Sequence, residues 1–305
     1  MATANIKESR PAGIKESLGE RIFYIANNIF FVLLGVATLF PFLNLIAKSF
    51  SSEGAVISGK VTIYPIDFQI GTYQFVLGNP QFLNSFKITI LLTIVGTFTS
   101  MIMTVLAAYP LSKPNLKFRK PLLLTYIFTM LFSGGMIPTY LLMQKLNLIN
   151  TFWALFVPGL ISVFYMLLVK NFFESLPESL EESAKLDGAS NFRVLWDIML
   201  PLAKPVLATV GLFYAVLLWN SYFSAMIYIT SSELKPLQLY LKELIASTND
   251  VLNLTGEIDL GRDMNKTPEA VQAASIVTAT IPILLVYPFL QKHFVKGVMV
   301  GSVKG

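Results

Sequence analysis

Few residues in this 305-residue sequence have the types and spacing that chemistry requires. Gly54-Ala-Val-Ile-Ser-Gly59-Lys60 follows the G-x-x-x-x-G-K spacing of a phosphate-binding loop. Val61, however, stands where a Ser or Thr hydroxyl must hold magnesium, and no helix signal follows. The single histidine, His293, has no second His or Cys with which to share a metal. Asp250, Glu257, Asp259 and Asp263 lack the alternation of a calcium loop. With no cysteine there is neither thiol chemistry nor a disulfide. No His, Cys or carboxylate cluster has a catalytic spacing, so the expectation is a chain that is not an enzyme and binds no cofactor or metal. Two groups remain. One is the polar run "LPESLEESAKLDGASNFRVLWDIMLPLAKP", residues 176–205. The other is Tyr214, Trp219, Asn220, Tyr222 and Ser224, where aromatic faces, an amide and hydroxyls of the kind that hold sugars fall close together.

The elements that must carry these groups are membrane helices. The chain is 54% hydrophobic and only 13% charged, against about a quarter charged in soluble domains. A bilayer core of about 30 Å needs roughly 20 apolar residues in a helix. Six stretches qualify, near 23–47, 88–112, 121–144, 151–169, 205–230 and 271–291, and none contains Asp, Glu, Lys or Arg. Pro110, Pro138, Pro158 and Pro282 lie in or near them and predict bends. The first stretch is too long for a secretory signal and lacks a clean cleavage site, so it is expected to stay as an anchor. Placing the N-terminus in the cytoplasm puts 15 of the 23 Lys and Arg on the inside, the direction of the positive-inside rule. Both termini are therefore expected in the cytoplasm. The net charge of +5 is explained by this bias near anionic lipid, with no need for nucleic acid. The expected fold is an all-α integral membrane protein with six transmembrane helices.

On this topology residues 176–205 are cytoplasmic. Pro177 and the carboxylates Glu178, Glu181 and Glu182 suit a helix start, Gly188 can end that helix at positive φ, and Asn191 can cap a second short one. Leu180, Ser183, Ala184 and Leu186 form a weakly apolar face. Two readings stand on the residues alone: a pair of amphipathic helices resting on headgroups, or a docking surface for a partner. Two readings also stand for the Tyr214–Tyr222 group, as sugar contacts or as an interfacial aromatic belt, and for the long outer loop 231–270. There Leu237, Leu239, Tyr240 and Leu244 either pack on this chain or meet a partner.

Glu182-Ser183-Ala184, three residues, Gly188, nine residues, then Ile198-Met199-Leu200-Pro201 resembles the EAA loop of bacterial ABC importer permeases, with Ser in place of the first Ala. "NSFKITILLTIVGTFTSMIMTVLAAYPLSK" (84–113), "SGGMIPTYLLMQKLNLINTFWALFVPGL" (133–160), "LLWNSYFSA" (217–225) and "YPFLQKHFVKGVMVGSVKG" (287–305) are similar to sugar permeases of the maltose-permease class, particularly its polysaccharide and oligosaccharide branch. The resemblance covers roughly residues 75–305. It implies a type I ABC importer permease in a bacterial cell membrane. Together with the apolar runs and charge bias, the expected segments are an N-terminal amphipathic stretch 1–22, a first transmembrane helix 23–47, an outer loop 48–85, a permease core 86–296 and a cytoplasmic tail 297–305. The core includes the coupling loop 175–205 and the outer loop 231–270. The resemblance also implies a second, homologous permease subunit, two ATP-binding subunits that hold the ATP and magnesium, an extracytoplasmic solute-binding protein, and an oligosaccharide cargo. Coupling to the ATPases falls on Glu182, Ser183, Ala184, Leu186, Asp187, Gly188, Leu200 and Pro201, and the substrate pathway on Tyr214, Trp219, Asn220 and Tyr222. The competing function is a stand-alone secondary transporter or channel. Carriers of that kind keep ionisable groups at mid-membrane for coupling, and six charge-free spans argue against it.

Overall fold

The computed structural model describes residues 17–253 and 267–297, with side chains described over 17–246 and 267–285. Glu257, Asp259, Asp263, most of the N-terminal amphipathic stretch and the tail 298–305 lie outside the described residues, as do the side chains of Asp250 and His293. All regular structure among the described residues is helical.

Helix α1 (Leu18–Ser49) starts at a capping box: Ser17 Oγ accepts from Glu20 N at 3.2 Å, and the Glu20 carboxylate accepts from Ser17 N at 2.7 Å. Short helices α2 (Glu53–Ile57) and α3 (Gly71–Gly78) lead to α4 (Pro80–Ser112). Asn79 Oδ1 accepts from the N–H groups of Gln81 and Phe82, and Pro80 occupies the first helical position, where no N–H is needed. Then follow α5 (Arg119–Leu131), α6 (Met136–Lys145), tight 3₁₀ turns over 152–159, and α7 (Val163–Ser175). After these come α8 (Ser179–Leu186), α9 (Asn191–Leu202), α10 (Lys204–Trp219), α11 (Phe223–Tyr228), α12 (Leu237–Asn253) and α13 (Pro268–Gly297).

Helices α1, α4 and α13 are each long and apolar enough to cross a bilayer alone, and three bent pairs bring the candidate spans to six. Of the four prolines expected to mark bends, Pro158 does lie at one, in the 3₁₀ turn that precedes α7, and the other three do not. The run 121–144 splits into α5 and α6, which meet at 112°. The break is Phe132–Gly135, where Gly135 takes φ +92°, a region closed to most side chains. Pro138 instead sits in the first turn of α6, where its missing N–H costs nothing. The run 151–169 opens as 3₁₀ turns, and α7 leaves them at 55° and continues to Ser175. Helices α4 and α13 run through Pro110 and Pro282 without a break.

Helix α4 is the axis of the bundle, with α7 and α10 packed along it. At the end that carries the basic residues, Val105 and Ala108 of α4 pack with Met166, Val169 and Phe173 of α7, Val194, Leu195 and Met199 of α9, and Val210 and Tyr214 of α10. At the far end Leu92, Met143, Leu155, Phe156, Leu218 and Tyr228 form a second core. Between them α4 and α10 approach closely at Gly96: a Cβ there would lie 2.7 Å from Leu218 Cδ1. A third core joins Val76, Phe82, Leu237, Leu241 and Ala274, and Leu237 N donates to Thr89 Oγ1 at 2.7 Å. The described part of 231–270 is thus packed on its own chain. Helix α1 is the exception. Its apolar length is exposed, and only Ala47 and Ser49 near its end are buried.

Candidate functional site

Residues 176–205 form a rigid elbow. In α8, Glu181 and Glu182 lie in the first turn, where carboxylates face the positive end of the helix dipole. The helix ends on Gly188 at φ +80°. Gly188 N donates to Lys185 O at 3.0 Å and Ala189 N to Ala184 O at 2.9 Å, the paired bonds of a Schellman closure. Ala184 and Ala189 then pack together against the core at the basic end. The next helix is capped by Ser190, whose Oγ accepts from Arg193 N, so Asn191 is the first helical residue and not the cap. Only Asp187–Ser190 separate two helices that are each closed on the facing side. Helix α9 widens to an i→i+5 turn over Leu195–Met199, just before Pro201. That widening relieves the clash a proline ring would make with the carbonyl four residues back. Leu195 and Met199 are buried, Leu200 packs against the same core, and Pro201 is exposed. Helices α9 and α10 meet at 84°.

The elbow is tied to α4 by charge. Lys113, the residue that ends α4, forms an ion pair with Glu181, and its ammonium lies 4.5 Å over the Tyr109 ring. Burial pulls Lys113 down to about 8, the Lys185 ammonium acts in the same direction, and Glu178 opposes them. Beside this pair Glu174 receives Lys170 at 2.8 Å and also Arg119, whose Nε donates to Leu111 O at 2.8 Å. Lys113, Arg119, Glu174 and Glu181 line a crevice of about 380 Å³. Sequence spacing counted Lys113 only as a basic residue and Glu181 only as a dipole partner, since the two lie 68 residues apart.

The expected coupling residues therefore divide. Ala184 faces the core, whereas Glu182, Ser183, Leu186, Asp187 and Gly188 face outward, with Leu186 89% exposed. Phe192 and Trp196 stack on each other on the outward side of α9. The tip of the elbow is thus apolar at Leu186, ringed by polar groups and tied to α4 by the Lys113–Glu181 pair.

The second group does not stay together. Tyr214 is 1% exposed; its hydroxyl pairs with Thr104 Oγ1 at 2.8 Å and accepts from Ser162 N at 2.9 Å. It joins α4, the start of α7 and α10, and lines no surface with the others. Trp219 is buried edge-on to Phe86. Asn220 and Tyr222 are exposed at the break between α10 and α11, where the Asn220 amide N donates to Val216 O at 2.8 Å. Lys242 of α12 joins them, 4.4 Å above the Tyr222 ring.

The phosphate-loop spacing forms no cradle. Gly54–Ile57 lie within α2, and Val56 and Val61 are buried beside Ala47 and Ala270. Among the described residues no three His, Cys, Asp or Glu side chains converge on a metal-sized site.

Residues 105–300 match the family described as "Binding-protein-dependent transport system inner membrane component". The chain is 46% identical over 285 residues to Protein LplC of Bacillus subtilis (strain 168), covering 93% of this chain and 96% of that one. It is 39% identical over 286 residues to the polygalacturonan/rhamnogalacturonan transport system permease protein YtcP of the same organism, covering 93% and 99%. Its fold is similar to a chain in the crystal structure of a bacterial ABC transporter that imports the acidic polysaccharide alginate. The TM-score is 0.86 at 35% identity, over 92% of this chain and 100% of that one.

Proposed function

This chain belongs to the binding-protein-dependent transport system inner membrane components, and we propose that residues 176–205 are the element through which separate ATPase subunits drive it. It is a multi-pass permease subunit of an ABC importer, and its six candidate spans place it in the membrane. The observation that carries the proposal is the elbow. Helix α8 is closed by Gly188, pinned to α4 by Lys113–Glu181, and presents Glu182, Leu186 and Asp187 outward. A loop without these restraints would absorb a displacement, whereas this one passes it to α9 and α10 as a rigid body.

In this reading the elbow and both termini are cytoplasmic, two ATP-binding subunits hold ATP and magnesium, and a second permease subunit completes the pathway. A solute-binding protein meets the far end. The cargo is an oligosaccharide released from an acidic polysaccharide, supported by the substrates named for the similar proteins. Asn220 and Tyr222 are the exposed members of the expected sugar contacts; Tyr214 and Trp219 hold the scaffold behind them.

Affinity purification of the tagged chain from native membranes tests this. Recovery of a second permease and an ATPase, with the ATPase lost when Leu186 is replaced by Asp, is the expected result. Recovery of the chain alone, still moving sugar in liposomes without ATP, would return the secondary-carrier reading.

A further inference from the structure

The cations that touch other side chains in the described structure mostly meet carboxylates: Lys113 with Glu181, Arg119 and Lys170 with Glu174, Arg193 with Asp197, and Lys235 with Glu243. Lys242 does not. Its ammonium lies 4.4 Å from the Tyr222 ring centroid and 3.5 Å from Met226 Sδ, with no carboxylate in ion-pair reach among the described residues. A ring face attracts an ammonium and a thioether is a weak acceptor, so together they orient the charge without neutralising it. Tyr222 and Asn220 are both exposed at the same spot. The Asn220 amide N is already bonded to Val216 O, which fixes the side chain and leaves its carbonyl oxygen to accept.

We propose that Lys242, laid on the Tyr222 ring at the break between α10 and α11, receives the carboxylate of an acidic saccharide entering the permease, with Asn220 and Tyr222 taking the neighbouring hydroxyls. This rests on the acidic-cargo reading above and names the residue that reads the charge. A pre-oriented ammonium with no counter-ion among the described residues suits such a role, because it need break none of the described ion pairs to accept an anion. A charge-assisted bond to the carboxylate then separates an acidic sugar from its neutral counterpart by about tenfold. Arg can keep the charge and stack on the same ring.

The test uses the whole importer, with its partner subunits and binding protein, in liposomes. ATP-dependent uptake is measured for tetragalacturonate and for the same tetrasaccharide with its carboxylates reduced to alcohols. The expected result is that Lys242→Gln lowers the acid-to-neutral uptake ratio about tenfold and Lys242→Arg holds it within about twofold. A ratio unchanged in Lys242→Gln overturns the proposal. That includes equal loss for both sugars, the signature of docking to an acidic surface of the binding protein. A wild-type importer that carries only the reduced sugar overturns the acidic cargo and this subsite together. One that carries neither sugar with ATP overturns the acidic-cargo reading and this subsite, and leaves the importer assignment standing on its family.

Discussion

Lys113 at the end of α4 and Glu181 in the first turn of α8 form an ion pair across 68 residues of chain, beside the Tyr109 ring. It is the one described ion pair that joins the elbow to the central helix. Lys113→Met or Glu181→Gln leaves its partner half-buried and unpaired, a loss of about 1–3 kcal/mol at the attachment point. We expect transport to fall about tenfold with insertion unchanged, and the charge-reversed double variant Lys113→Glu/Glu181→Lys to recover most of it. Uptake and membrane abundance in the three variants check this, and a double variant worse than both singles counts against the pair.

The same lysine predicts an alkaline response with a definite sign. Held near 8 against an ordinary 10.5, Lys113 loses its proton in the folded protein before the unfolded chain does. Between those values the unfolded state binds more protons, so this group favours the fold increasingly as pH rises. ATP-driven uptake is therefore expected to decline as pH rises through about 8 while the melting temperature does not fall, because the neutral amine no longer holds Glu181. Parallel pH profiles of uptake and thermal unfolding separate local release from unfolding.

At Gly188, φ is +80° and nothing lies within 4 Å of where a Cβ would stand, so the constraint is backbone strain and not space. Asn tolerates this region, Ala loses roughly 1–2 kcal/mol there, and Pro is fixed at negative φ. Transport should rank Gly188, Asn, Ala, Pro in descending order at equal membrane abundance. An equally active Ala variant would show that the turn need not be held.

Tyr214→Phe keeps the ring but strips the Thr104 hydroxyl and the Ser162 N–H of a shared partner. We expect a destabilisation of about 2 kcal/mol in detergent melting and no change in which sugars compete for uptake. Altered competition would restore Tyr214 to the substrate pathway.

Helical class and span number were legible because a bilayer imposes length and apolarity on every crossing, and the six charge-free runs obey both. The elbow was legible for a different reason. Gly188 is the residue a positive φ demands, and Glu182 and Pro201 stand at fixed distances from it. What could not be read was distant pairing. Nothing in local pattern joins Lys113 to Glu181 or Lys242 to Tyr222. The hydroxyl of Tyr214 has the same chemistry in a core tether as in a sugar site. Proline marked the break at Pro158 but not the one at 132–135: Pro138 sits harmlessly in a first turn, while Gly135 carries the change of direction.

The 84° between α9 and α10 makes the two a bell crank. Twelve residues of α9 and sixteen of α10 give arms of about 18 and 24 Å at the helical rise. Turned about Ala203 as one body, the pair would convert a displacement of the short arm into one of the long arm nearly at right angles to it, with a gain of about 1.3 set by the ratio of those lengths. The long arm ends at Trp219, and Asn220 and Tyr222 lie within the next three residues. In the proposed reading, a stroke taken up by α9 would reach the Asn220–Tyr222 break through the single residue, Ala203, that separates the two arms.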